Sequence, residues 1–311
     1  MTDVTREMIS AATSLLTRLP DAGRPDACHP FDASSRTEWS YLPGPRVGIA
    51  LSELGIPGRK AAHRLLATAL SRPAFAQAVT IMALEEVLDL DEQGQLGRHS
   101  NGYQVAVFGT PGDDQWAWRF EGHHLSVNVT MTGDQPLIAP LFMGANPAQV
   151  RRNGDVVIAP LLREEALARD IIAGLTPRLG EQAKVADAAP GDIITGRTPA
   201  VEEPLEPPGI PASHLPAPAT EQVNRLLGIY LDRLAPNLAS AERARIADTN
   251  ATFAWAGGLG KGEAFYYRIQ TPDILIEYQN SQRNDGHAHT VVRRPGCDFG
   301  ASPHQGQAAR P

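Results

Sequence analysis

Four of the nine histidines fall in two stretches that match each other. His123 and His124 stand side by side in Trp116-Ala-Trp-Arg-Phe-Glu-Gly-His-His-Leu-Ser-Val-Asn128. The second stretch, Phe265-Tyr-Tyr-Arg-Ile-Gln-Thr-Pro-Asp-Ile-Leu-Ile-Glu277, is soon followed by His287-Ala-His289. Laid over one another at an offset of 149 residues, they align Trp116 with Phe265, Trp118 with Tyr267, Arg119 with Arg268, Leu125 with Ile274, Val127 with Ile276 and Asn128 with Glu277.

Two imidazoles at i and i+2 of a strand point to the same side and can present two metal ligands. Neutral imidazole suits zinc, copper or iron, and a carboxylate such as Glu277 completes a set of three or four. Three protein ligands with an open position make a catalytic site, and four make a closed one. Histidines near strand ends also serve simply as backbone hydrogen-bond partners. A strand that begins at His123 puts His124, Ser126, Asn128 and Thr130 on its polar face, which favours His124 over His123 as a ligand. A bulge at Gly122 would reverse that choice. Pairing of the two stretches about a pseudo-twofold axis would bring His124, Asn128, Glu277, His287 and His289 into one cavity.

Arg119 and Arg268 read either as clamps for an anionic substrate or as structural partners of acidic residues. Trp39, Trp116, Trp118 and Trp255 read as pocket walls or as core. Gly257-Gly-Leu-Gly-Lys-Gly262 lacks the spacing of a phosphate loop and joins two strands, so it reads as a hairpin turn. Cys297 near His287 and His289 is a conceivable nucleophile, with a structural cysteine as the plainer reading. Asp298 could orient a ligating histidine from behind.

The elements that must position these residues come in a repeated order. Helical spacing covers 5–19, 58–71, 74–89 and 161–179, and Ser35 with Glu38 suggests a capping box. Strand patterns follow at 103–108 and 115–121 around the turn 110–114, then at 125–131 and 136–143. Helices return at 219–234 and 239–248, and strands at 251–256, 265–270, 274–279 and 287–293. Between them, residues 190–218 carry eight prolines, too many for regular structure. That segment reads as a linker or as a strap crossing the body. The tail from Ser302 reads as frayed.

The expected fold class is therefore α+β: two related halves about a pseudo-twofold, each with helices packed on a small antiparallel sheet. The halves span 1–189 and 219–311, with 190–218 as connector. A net charge of −7 argues against a nucleic-acid partner. No apolar run suggests a membrane span, and the charged N-terminus has no apolar signal core. Two distant cysteines, Cys28 and Cys297, exclude a disulfide scaffold and suggest the cytoplasm.

The set Trp116 to His124, then Pro140-Leu-Phe-Met-Gly-Ala-Asn-Pro147, resembles the family called domain of unknown function 3500. Phe253-Ala-Trp-Ala-Gly257, Tyr266-Tyr-Arg268, Ile276-Glu-Tyr278, His287-Ala-His289-Thr and Asp298-Phe-Gly300 are similar to it as well. The likeness runs from about Arg36 to Gly300, and departs where Gly286 stands in place of the family's Asn before His-X-His. It implies a stand-alone bacterial or fungal protein with histidine motifs and implies no reaction.

Three readings follow. The first is a mononuclear metalloenzyme, hydrolytic or oxidative. Its ligands are His287, His289, one of His123 and His124, and Glu277, with Arg119 or Arg268 holding a small anionic substrate. The second is a non-catalytic metal or small-ligand binding protein with the same ligands. The third is an interaction or structural protein whose histidines belong to the core.

Overall fold

The computed structural model describes residues 2–246, 250–260, 262–282 and 286–300. The tail from Ser302, Lys261 of the glycine-rich turn and the last residues of the helix expected at 239–248 lie outside them.

The described helices are α1 (Asp3–Leu16), α2 (Arg24–Ala27), α3 (Ile56–Ala69), α4 (Arg72–Asp91), α5 (Leu162–Ala173), α6 (Pro177–Ala183), α7 (Ala217–Leu231) and α8 (Pro236–Ile246). Local chemistry sets their ends. Thr2 accepts from the Thr5 amide to start α1, and Ser71 accepts from Ala74 to start α4. The continuous pattern over 161–179 breaks into α5 and α6, because Gly174 ends the first and Thr176-Pro177 caps and starts the second. Ser35 and Glu38 cap no helix. Ser34–Arg36 makes one 3-10 turn, after which Trp39 and Tyr41 are drawn onto the sheet.

Eight strands form the body: β3 (Gln104–Phe108), β4 (Gln115–Gly122), β5 (Leu125–Thr132), β6 (Gln135–Ala145), β11 (Thr252–Gly257), β12 (Phe265–Gln270), β13 (Leu275–Gln282) and β14 (His287–Arg293). Short strands flank them: β1 (Cys28–His29) and β2 (Ile49–Ala50) on β3, and β9 (Lys184–Ala186) and β10 (Ile210–Pro211) on β11. A separate hairpin pairs β7 (Val150–Arg152) with β8 (Asp155–Ile158).

The expectation of two halves on two small sheets is overturned. All strands but β7 and β8 join one 12-stranded mixed sheet, whose path runs β1-β3-β4-β5-β6-β14-β13-β12-β11-β10. The seam is the antiparallel pair β6 and β14, with Phe142 opposite Val291 and Gly144 opposite His289. A strand's alternating pattern states which face is buried and is silent about which strand pairs with its edge.

One face of the sheet is apolar. Trp116, Trp118, Phe120, Val127, Met143, Tyr267, Ile276 and Tyr278 pack with Met8, Leu65, Leu66, Ile171 and Val223 of the helices in a single cluster. Burial of each such large side chain contributes about 1.5–3 kcal/mol. The opposite face carries Arg119, Ser126, Asn128, Arg268, Gln270, Glu277, Gln279, His289 and Arg293, and every one of them is buried as well.

Irregular chain covers that polar face. The Pro-rich segment runs across it as a strap, and the sheet's side chains satisfy the strap's backbone. Gln279 donates to Pro190 O, Gln270 exchanges two bonds with Leu205, Arg268 donates to Pro207 O and Arg293 to Thr198 O. Trp39 Nε1 donates to Thr198 O, so the earlier covering segment locks onto the strap.

Candidate metal centre

His123 and His124 do not begin a strand. They form the two-residue turn between β4 and β5, with Gly122 paired to Leu125. Tyr103 fixes this turn: its ring lies where a Cβ on Gly122 would be, 2.2 Å away, and its hydroxyl donates to His123 O. His124 sits at φ 62, a left-handed conformation that costs a non-glycine residue about 1 kcal/mol. The His124 amide donates to Tyr41 O, and its carbonyl accepts from Gly144 N.

His287 and His289 share the strap-side face at the start of β14, as strand alternation requires. The pairing of Gly144 with His289 makes room for the rings. A Cβ on Gly144 would come 2.8 Å from Cδ2 of His124 and 3.0 Å from Cδ2 of His289.

Three imidazoles therefore meet at one point. His124 Nε2 lies 2.6 Å from His287 Nε2, and ligand atoms of His124, His287 and His289 all fall within 4.8 Å of one another. His289 Nδ1 lies 2.6 Å from Asp192 Oδ1, which fixes the hydrogen on Nδ1 and leaves Nε2 as the lone-pair nitrogen. That Nε2 is buried and has no hydrogen-bond partner. Tyr41 and Phe142 stack on each other and present edges to the His289 ring at 5.1 and 5.2 Å.

Electrostatics hold His124 in the ligand form. Burial pushes the His124 imidazole well below its usual value, reinforced by His123, His289, His287 and Arg98. His123 is lowered too, because burial outweighs the opposing pull of Glu85. Burial alone would raise the Asp192 carboxyl, yet it ends lowered. Hydrogen bonds from His289, the Ile193 amide and the Tyr41 hydroxyl prevail.

His123 belongs to a neighbouring group. Its Nδ1 lies 2.6 Å from Glu85 Oε1, a buried carboxylate on α4, and its ring packs 3.6 Å from that of His124. Glu85, His123 and His124 also have the spacing of a metal group. A cation already stands there: Arg98 reaches Glu85 at 3.8 Å, Glu92 at 2.6 Å and His123 Nδ1 at 3.1 Å.

The remaining sequence candidates take structural positions. Glu277 lies on the same face opposite Val291, and its carboxylate accepts from Ile194 N, Thr195 N, Thr195 Oγ1 and Tyr266 OH. Those four donors use the lone-pair sites that a metal would need. Arg119 donates to Glu38 O, and Arg268 to Pro207 O, so both hold covering chain against the sheet. Asn128 bonds Ser126 and Pro140 O. Asp298, expected behind a histidine, pairs with Arg293 and the Arg294 amide, because the chain turns back there onto β14. The histidine's carboxylate is instead Asp192, from the strap. Cys297 is a free thiol, as is Cys28, and Trp39, Trp116, Trp118 and Trp255 are all buried core residues.

Asp192, Tyr41 and Gly144 escaped the sequence reading, since nothing local marks them. Glu85 left a signal: it falls at helical spacing with Ile81 and Leu88, on the buried side of α4.

Helices packed on one face of a single wide, mainly antiparallel mixed sheet, straps on the other and three histidines converging at its seam define a protein with a candidate metal centre. The family described as protein of unknown function (DUF3500) matches residues 2–301, and the chain belongs to it. No curated protein and no solved structure matches the chain. Among the described residues no helix is long and apolar enough to cross a membrane.

Proposed function

We propose that the protein is a mononuclear metalloprotein with zinc, copper or iron held by Nε2 of His124, His287 and His289. The observation that carries this reading is the buried Nε2 of His289, oriented by Asp192, unpartnered, and facing two further imidazoles. A buried acceptor left without a partner costs about 1–3 kcal/mol, and a bound cation removes that cost. A carboxylate behind a ligating histidine fixes the ring and raises its basicity.

Three protein ligands leave a coordination position open, which favours an enzyme over a storage or structural site. Bound there, the ion supplies Lewis acidity or, for copper and iron, redox chemistry. The chain's own groups do the rest: Tyr41 and Phe142 exclude water from one side, and Asp192 holds the His289 ring. A small-molecule substrate approaches past His287, the least buried of the three.

The test is elemental analysis of untagged protein, as purified and after reconstitution with zinc, copper or iron(II), beside the variant His287→Ala/His289→Ala. About one equivalent of one metal in the wild type, absent from a folded variant, supports the reading. Failure of the wild type to retain any of the three ions after reconstitution would sink it.

A further inference from the structure

On the helix side, away from the histidines, the seam is marked by a second junction. Leu70 and Leu234 form an antiparallel bridge, with Ser71 N donating to Arg233 O and Ala235 N to Ala69 O. Immediately after it the chain starts α4 on one side and α8 on the other. A cavity of about 750 Å³ opens there.

Three helices begin at this cavity. Pro73 and Ala74 of α4, Arg163 and Glu164 of α5, and Pro236 and Ala239 of α8 all line it. Helix N-termini carry partial positive charge and unpaired amides, and α5 has no side-chain cap.

Independent of the helix ends, Arg233 lines the cavity and is 2% exposed, yet its Nε has no hydrogen-bond partner. Its other nitrogens are engaged, Nη2 with Glu164 at 2.7 Å and Nη1 with Thr290 Oγ1 at 3.0 Å. The local charges do not cancel. Glu164 is matched by Arg233 and Asp232 by Arg243, while Arg163 has no ion-pair partner among the described residues. Ile158, Pro160, Ile229 and Leu234 supply an apolar wall.

The geometry points to a binding site for a small organic anion at this cavity, its oxyanion head toward Arg163, Arg233 and the helix N-termini and its hydrocarbon body along the apolar wall. An inorganic ion alone is far smaller than the space, whereas cavities of roughly 300–1,000 Å³ suit small molecules. Carboxylate and phosphate heads share this chemistry.

Calorimetric titration of the full chain with hexanoate, hexyl phosphate, acetate and inorganic phosphate tests the site and distinguishes the heads. Saturable one-to-one binding of hexanoate or hexyl phosphate is expected, about tenfold or more tighter than the corresponding head alone. The tighter of the two names the head. Arg163→Gln and Ser240→Glu, both changes of exposed residues, each weaken binding about tenfold. The double variant His287→Ala/His289→Ala leaves it unchanged. No saturable binding of either six-carbon anion, equal affinity in both pocket variants, or loss in the histidine variant would each overturn the assignment.

Discussion

His124 Nε2 stands 2.6 Å from His287 Nε2, although the two residues are 163 positions apart in the chain. At that separation one nitrogen carries the hydrogen that the other accepts. A zinc ion at its usual distance from both would hold them about 3.3 Å apart. An ion held by both nitrogens would thus need the pair slightly more open, and His287 is the less buried of the two rings.

With a metal held as proposed, its removal is expected to lower stability, because a ligand that binds only the folded state contributes to it by mass action. At a hundredfold excess over Kd that contribution is about 2.7 kcal/mol. Scanning calorimetry with and without a chelator is expected to show a melting temperature lower by several degrees, restored on reloading. Identical melting curves would contradict a site in the folded protein.

Asp192→Asn keeps the fold and weakens the metal by about 10–100-fold, the usual cost of losing the carboxylate behind a ligating histidine. Competition with a coloured chelator measures it. An affinity equal to that of wild type would show that Asp192 serves the strap alone.

Gly144→Ala places a methyl group 2.8 Å from His124 and 3.0 Å from His289. One ring must leave, at a cost of about 1–3 kcal/mol. The expected variant is folded, melts earlier and retains less than one equivalent of metal.

Glu277→Ala strips the acceptor from two strap amides, the Thr195 hydroxyl and the Tyr266 hydroxyl. Buried donors left unpaired cost upwards of about 3 kcal/mol together. Limited proteolysis is expected to cut the chain between residues 187 and 207 in the variant sooner than in wild type. Because Asp192 rides on the same strap, metal affinity falls with it.

Partial desolvation pushes the exposed Cys28 thiol above its ordinary value, with Arg24 pulling the other way. The thiolate is the reactive form, so a raised value means less of it at any given pH. Alkylation of Cys28 followed against pH is expected to inflect above the value for free cysteine. An inflection below it would reverse the sign.

Much of the secondary structure was legible, and so was the histidine lead. The alternation in Trp116–Phe120 and Phe265–Ile269 marks strands whose apolar face meets the helices, and His287-Ala-His289 announces two rings on one side. What stayed hidden is how distant segments meet. Polar residues such as Glu277, Arg119 and Arg268 read as candidates for chemistry, while in the fold they hold the covering chain. Asp192 lies in a Pro-rich stretch whose composition says only that it is irregular, and its meeting with His289 spans 97 positions. Strand parity also misplaced His123 and His124 at the start of the next strand, whereas they form the turn after Gly122, on which Tyr103 packs.

The seam between β6 and β14 has a consequence for a chain still being made. β6 ends at Ala145, and its partner strand begins only at His287. At ordinary rates of synthesis the ribosome needs roughly ten to thirty seconds to cover that gap. Throughout it the longest strand of the sheet, rich in Leu141, Phe142 and Met143, offers an open edge to any other nascent chain. Slowed translation of the C-terminal third would lengthen that exposure, and the yield of soluble protein should follow the speed of those last codons.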